Sequence, residues 1–452
     1  MRSASLLALA LALASALLPQ ASRTAEIDDP AARTRLTTLD NGVRILTLED
    51  HTTPTVSYQT WVHVGSGDEA RWTGVAHLFE HMMFRGSKRV PGAVRDALLR
   101  ARGSRGNAYT SSDVTVYFED TAAEHLPLVI ELEAERFQNL VISPEVLDTE
   151  RQVVLEERRM RTEDNPRGRM IEALLSLTFT AHPYRTPTIG WQSDVEKVDV
   201  DTCLEFFHHY YVPNNVVISI AGDFDQDDAI ARIRKHYAGW ERGAEPPRNP
   251  TVEPPQDGER RAIVHVPVRA PLVGVAWHAP KSGSPDGPAL DVLSEILSAG
   301  RTSRLQRKLV YEAQEALNAY GGYWELEHEG LFYAGVGVRP GKDPARSEEL
   351  LFAEIERLRR TPPTAAELEK AKRVFEVDML AGLGTANALA GRNAEELLTF
   401  GRIRTIRERL DAVRAVTAAE VQRVAELYLK PEQRSVVHVL PAPGPAPAED
   451  AE

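Results

Sequence analysis

The sequence predicts an α+β chain of two similar α/β-sandwich-like domains, and three observations carry the prediction. At 452 residues the chain is longer than one ordinary domain and suits two of roughly 200 residues. The stretch RGAEPPRNPTVEPPQDGER, residues 242–260, is rich in proline and charge and reads as a linker between two better-patterned regions. On either side of it the same order of elements recurs. VDVDTCLEFFHHYYVPNNVVISIAG (198–222) and VTAAEVQRVAELYLKPEQRSVVHVL (416–440) both run helix, Tyr-x-x-Pro, turn and β-branched strand. Val198 and Val416, Tyr210 and Tyr428, and Pro213 and Pro431 each lie 218 residues apart.

Taken along the chain, the first residues, MRSASLLALALALASALLPQAS, show a basic start at Arg2, an apolar run from Leu6 to Leu18 and then small residues. That is the grammar of a secretory signal, assigned to residues 1–25, and it implies a periplasmic or secreted protein. The apolar run of 13 residues is shorter than the ~20 needed to span a bilayer, so no stable membrane anchor is expected.

The first domain, 26–241, opens on TVSYQTWVHVGSG, whose Val56, Tyr58, Val62 and Val64 alternate as in a half-buried strand. Its counterpart in the second domain, 261–443, is LVGVAWHAP (272–280), with Trp61 and Trp277 216 residues apart. Long helices such as AEHLPLVIELEAERFQNL and AELEKAKRVFEVDMLAGL do not alternate regularly with strands, which favours α+β over a doubly wound sheet. The tail 444–452, with the composition of a disordered terminus, carries no expected chemistry.

Composition narrows the function. A formal charge of −13 with no basic stripe argues against a nucleic-acid partner, because phosphate binding depends on Lys and Arg. Cys203 is the only cysteine, so no intramolecular disulfide forms and the thiol is expected in the core.

The chemistry concentrates in TGVAHLFEHMMFRG, residues 73–86. Residues four apart on a helix share a face, so His77 and His81 can offer imidazole nitrogens to one ion, with Glu80 beside any water on it. A catalytic zinc keeps three protein ligands and one position for water. The third ligand is sought in DTERQVVLEERRMRTEDNP, where Glu150 and Glu157 are seven apart. Seven helical steps leave them about 20° apart, whereas Glu156 points elsewhere. Glu157 as third ligand and Glu150 as the carboxylate behind the ligands is the economical assignment. One Zn²⁺ per chain is expected, although these ligand types do not by themselves separate zinc from manganese or cobalt. Aligning HMMFRG with EILSAG pairs His77, Glu80 and His81 with Asp291, Ser294 and Glu295, so the second domain is expected to be metal-free.

With these stretches in view, the sequence resembles the pitrilysin or insulinase family of zinc peptidases, which carry the inverted H-x-x-E-H motif. The resemblance also runs through LDNGVRILTLEDHTTPTV, GNAYTSSDVTVYFED, HPYRTPTIG and YYVPNNVVISIAGDF, and covers nearly all of 35–440. It implies His77, His81 and Glu157 as zinc ligands, Glu80 as general base, and Glu150 as a supporting carboxylate. It further implies that Asn107, Ala108 and Tyr109 lie on an edge strand that accepts an extended substrate peptide by β-augmentation. The length matches the half-size members, resembling mitochondrial processing peptidase subunits, in which one chain forms half of a closed peptidase chamber.

One departure matters. Active members carry an Arg and a Tyr in the second half that stabilise the oxyanion, and here those positions hold Val310 and Leu317. A homologous partner subunit bringing the Arg/Tyr pair, in a heterodimer, is the expected remedy; Arg307 or Tyr320 from a shifted register is the other source, and a homodimer the other assembly. The competing function is a non-catalytic zinc-binding scaffold or peptide-binding subunit of the same fold.

Overall fold

The computed structural model describes residues 29–442 apart from residue 70. The secretory signal assigned to 1–25 and the tail from 444 lie outside the described residues. No helix among the described residues is long and apolar enough to cross a membrane.

Two mixed sheets organise the chain. In the first, β1 (Arg35–Thr38), β2 (Arg44–Glu49), β3 (Thr55–Val62), β4 (Arg105–Thr110), β5 (Thr115–Ala122) and β6 (Val216–Gly222) take the order β1-β2-β6-β3-β5-β4. In the second, β7 (Arg260–Val266), β8 (Leu272–Ala279), β9 (Ala316–Trp324), β10 (Gly330–Val338) and β11 (Arg434–Pro441) take the order β7-β11-β8-β10-β9. Without β1 the two orders are the same, and in each sheet one parallel pair, β2 with β6 and β7 with β11, sits among antiparallel neighbours. The duplication written in the sequence is therefore a duplication of topology.

The repeated segments fold alike for local reasons. Helix Val200–Tyr210 starts at Asp199, whose side chain accepts the N–H of Thr202, and helix Ala418–Tyr428 starts at Thr417, which caps Glu420 N–H in a capping box. Each ends at its Tyr, a proline turn follows (Pro213–Asn215, Pro431–Gln433), and the β-branched run enters the sheet as β6 or β11. One core packs helices Val75–Met82, Leu126–Asn139, Val200–Tyr210 and Gln226–Tyr237 on the first sheet, with Cys203 fully buried among them. The other packs Gly287–Ser298, Pro344–Arg360 and Ala418–Tyr428 on the second.

The opposite faces of the sheets depart from the half-buried strand expected at 55–67. Every residue of β3 from Val56 to Val62 is buried, Ser57, Gln59 and Trp61 included. The cover is helix Ala386–Phe400, from the second half, which packs Ala394 and Leu397 against Leu46, Trp61 and Val217. Polar groups on this face are paired rather than solvated: Gln59 Nε2 donates to Asn387 O (2.8 Å) and Ser219 Oγ to Ala390 O (2.7 Å). The exchange is reciprocal. Helix Pro166–Thr178, from the first half, lays Met170 and Leu174 on Ala276, Val437 and Val439 of the second sheet.

Residues 241–257 form no helix or strand, yet they are not a loose tether. Arg248 donates to His63 O (2.6 Å) and Asn215 Oδ1 (2.8 Å). Glu253, 7 % exposed, accepts the N–H groups of Thr180, Ala181 and His182. The segment is a fastened strap, held by the side chains that make it look hydrophilic in sequence.

Candidate metal centre

Helix Val75–Met82 buries Ala76, Leu78, Phe79 and Met82 completely. That fixes its rotation and leaves His77, Glu80 and His81 on the side turned to helix Pro144–Arg158. The second helix is set by its Ser143 cap and by buried Leu147 and Val154. Glu150, on that helix, has 0 % exposure. Ligand atoms of His77, His81 and Glu157 all lie within 4.8 Å of one another. Glu156 instead is exposed and pairs with Arg159.

The separations fit a small cation. His77 Nε2 is 3.8 Å and His81 Nε2 3.4 Å from the oxygens of Glu157. Two tetrahedral ligands, each about 2.1 Å from zinc, stand roughly 3.4 Å apart. The donor set of two imidazoles and a carboxylate suits zinc as well. Burial, and then His81, lower the pKa of His77 to about 4, so this imidazole is a neutral donor at physiological pH. Behind the ligands, Glu150 Oε2 lies 3.4 Å from His81 Nδ1, and its other oxygen receives Arg85 at 2.6 Å. Burial works against the charge on Glu150, but His81 and Arg85 outweigh it and hold the carboxyl below its usual range.

Glu80 is 7 % exposed and accepts a 2.6 Å bond from Thr110 Oγ1 on β4. Burial pushes its carboxyl above the usual range, the Thr110 hydroxyl opposing. β4 ends the order of its sheet, so its outer edge is free among the described strands. Along it Ala108 turns to the core, whereas Asn107 and Tyr109 are exposed, Tyr109 by 44 %. A cavity of about 570 Å³ opens beside this edge, between Glu80, His81, Phe84, Leu99, Arg105 and Asn107.

Three participants escaped the sequence reading. Thr110 shares the face of Ala108 by strand alternation, so spacing could have found it, whereas Arg85 lies in the bend past the end of helix Val75–Met82, where no helical count applies. Arg161, 2.6 Å from Glu157, stands four residues after it, the ordinary spacing of a helical ion pair, so spacing could have found it too.

The second half closes the equivalent gap. Asp291, Ser294 and Glu295 sit on helix Gly287–Ser298. Where Glu80 faces Thr110, Ser294 Oγ accepts the backbone N–H of Tyr323 on β9 at 2.9 Å and donates to Leu290 O. Val310 lies in the π-turn Gln306–Glu312, and Leu317 on β9 is 55 % exposed. Arg307 lies 3.6 Å from Glu312, and the Tyr320 ring lies under the Arg167 guanidinium at 4.7 Å.

Comparison with known proteins bears directly on these helices. A model described as insulinase (peptidase family M16) matches residues 44–192, and one described as the peptidase M16 inactive domain matches 197–375. The zinc protease PqqE of Helicobacter pylori is 30 % identical over 412 residues, 89 % of this chain and 92 % of the relative. The chain belongs to the M16 insulinase family of peptidases. The crystal structure of a protease from Helicobacter pylori superposes with a TM-score of 0.87 at 28 % identity, over 90 % of this M16 chain and 99 % of that one. The first half of the periplasmic protease PqqL from Escherichia coli shares the fold, with a TM-score of 0.75 at 20 % identity, over 90 % and 92 % of the two chains. The M16 model containing the H-x-x-E-H stretch ends at 192, before the strap, and the inactive-domain model begins at 197, crosses the strap and takes in helix Gly287–Ser298, the motif helix without histidine.

Proposed function

We propose that the chain is an exported, zinc-dependent endopeptidase or oligopeptidase acting on peptides or unstructured polypeptides. The observation that carries the reading is the convergence of His77, His81 and Glu157 within 4.8 Å beside a buried Glu80. Relatives named zinc proteases support the metal. His77, His81 and Glu157 hold the ion, and Glu150 orients His81 from behind. When bound, zinc supplies a Lewis-acid centre that acidifies a water and polarises a carbonyl.

The residues do the rest. β4 offers backbone N–H and C=O groups at Asn107, Ala108 and Tyr109 to an extended peptide, fixing the scissile bond against the motif helix. Glu80, steered by the Thr110 hydroxyl, takes a proton from the attacking water and delivers it to the leaving amine. Water adds to the carbonyl carbon to give a tetrahedral oxyanion, whose collapse breaks the C–N bond as the amine leaves with the proton from Glu80, so no covalent enzyme intermediate is needed. A homologous subunit supplying the Arg and Tyr absent at Val310 and Leu317 completes the oxyanion site.

The test is metal content and turnover of the chain and of Glu80→Gln, each with any co-purifying subunit. The variant is expected to retain zinc and lose turnover by at least about 100-fold. Undiminished turnover overturns the role of Glu80, and absence of zinc from the parent overturns the metal reading. Zinc without hydrolysis in any assembly establishes the scaffold or peptide-binding alternative.

A further inference from the structure

The HPYRTPTIG segment, residues 182–190, contributes nothing to the donor set, yet its end stands where both ligand-bearing helices are anchored. The motif helix starts at Gly74, in the left-handed region at φ +86°, with no side-chain cap of its own. Its first N–H groups are taken by Glu69, whose carboxylate accepts from Gly74 N and Ala76 N, both at 2.9 Å. Beside that start, Gly190 approaches so closely that a Cβ on it would stand 2.5 Å from Gly74 Cα and N. Thr73 stitches the contact: its Oγ1 donates to Asp194 at 2.8 Å and accepts Trp191 N–H at 2.9 Å.

The other ligand helix ends at the same turn. Arg158, adjacent to Glu157 and 4 % exposed, donates from Nη1 to Gly190 O at 2.6 Å and from Nη2 to Glu172 at 2.7 Å. Its guanidinium lies over the Trp191 ring, 5.4 Å from the centroid. Gly190 thus touches the root of the histidine helix with one side of its peptide and receives the neighbour of Glu157 with the other. A buried guanidinium with two directed acceptors is a rigid spacer.

We propose that the turn Ile189–Gly190–Trp191, clamped by Arg158 and Thr73, sets the separation between His77/His81 and Glu157, making Arg158 a positioning residue for metal capture. The inference rests on the reading of those three residues as the donor set. It gives the second carboxylate helix a reference point that does not pass through the metal, so the donors stand at binding separation before the ion arrives. Groups that orient metal ligands from behind typically alter affinity 10–100-fold.

The experiment measures zinc affinity of the full chain by competition with a fluorescent chelator, and thermal stability without metal, for the parent, Arg158→Met, Arg158→Lys, Thr73→Val and Leu351→Ala. Glu172 keeps Arg169 at 2.9 Å in the Arg158 variants, so Arg158→Met does not strand a charge. Leu351→Ala is the control for stability alone: Leu351 is fully buried in the second core, on helix Pro344–Arg360. Arg158→Met is expected to weaken zinc about 10–100-fold, Arg158→Lys to recover part of the loss, and Thr73→Val to weaken it less. Leu351→Ala is expected to lower the melting temperature with affinity unchanged. Affinities of Arg158→Met and Thr73→Val within about twofold of the parent overturn the inference, as does an equal loss in Leu351→Ala. Should Arg158→Met fail to fold, Thr73→Val and Arg158→Lys decide. A parent that binds no zinc refutes the donor set instead, a different result.

Discussion

Glu348 lies between Arg261 (2.5 Å) and His438 (2.5 Å), and Glu367 receives both arms of Arg304 (2.8 and 3.0 Å). Burial alone would raise Glu348, but its partners hold it down to about 2; Arg304 first, and then the Thr364 cap, do the same for Glu367. Both folded values lie below the unfolded one, so each carboxylate stabilises the fold above pH ~4.5 and loses that contribution as pH falls towards 2. After screening of the partly exposed arginines, this amounts to on the order of 2 kcal/mol per group. Glu348→Gln is expected to lower the melting temperature at pH 7 and to narrow its gap from the parent between pH 4.5 and 2; thermal melts across that range check it. An unchanged gap would refute the linkage. The proximity of His77, His81 and Glu157 was legible because their spacing is that of regular helices. The clamp of Arg158 was not legible, because its acceptors, Gly190 O and Glu172, lie on other elements 32 and 14 residues away and no local spacing marks them.

At the scale of elements, the two exchanged helices matter most. Met170 is 3 % exposed and Leu397 3 % exposed, each buried against the sheet of the opposite half. Truncating either to Ala is expected to cost about 2–5 kcal/mol, the range for large buried side chains, and denaturant titration measures it. A second outcome follows for fragments. Residues 29–241 expressed alone should expose Trp61 and Leu46 and aggregate, whereas co-expression with 242–442 should restore a soluble complex; a well-folded isolated fragment would count against the exchange. Helix and strand types, the repeated order and the 218-residue offset were legible because local periodicity specifies them. Which sheet a helix covers was not, since an amphipathic stripe says only that something apolar faces it. The anchoring of the linker was illegible for a related reason: Glu253 and Arg248 look solvent-loving until their backbone partners are known.

For the whole molecule, the expected consequence of Val310 and Leu317 is dependence on another chain. Quenched peptides should be cleaved slowly by the purified chain and at least about 100-fold faster once a homologous subunit with the Arg and Tyr is added. Full activity of the chain alone would show that the oxyanion is stabilised from within. The duplication was visible in sequence, and so was the loss of histidines from the second copy. The stitch from Ser294 to Tyr323 that closes the second copy was not, because it joins a side chain to a backbone 29 residues away. The exchange of helices also has a consequence in time. The first sheet is complete in sequence at Gly222, but its cover ends at Phe400. At ribosomal rates of about 5–20 residues per second, Trp61 and its neighbours wait roughly 10–40 s for that helix to be made. The nascent chain therefore carries an open apolar sheet through much of its own synthesis, and neither half finishes folding before the other exists.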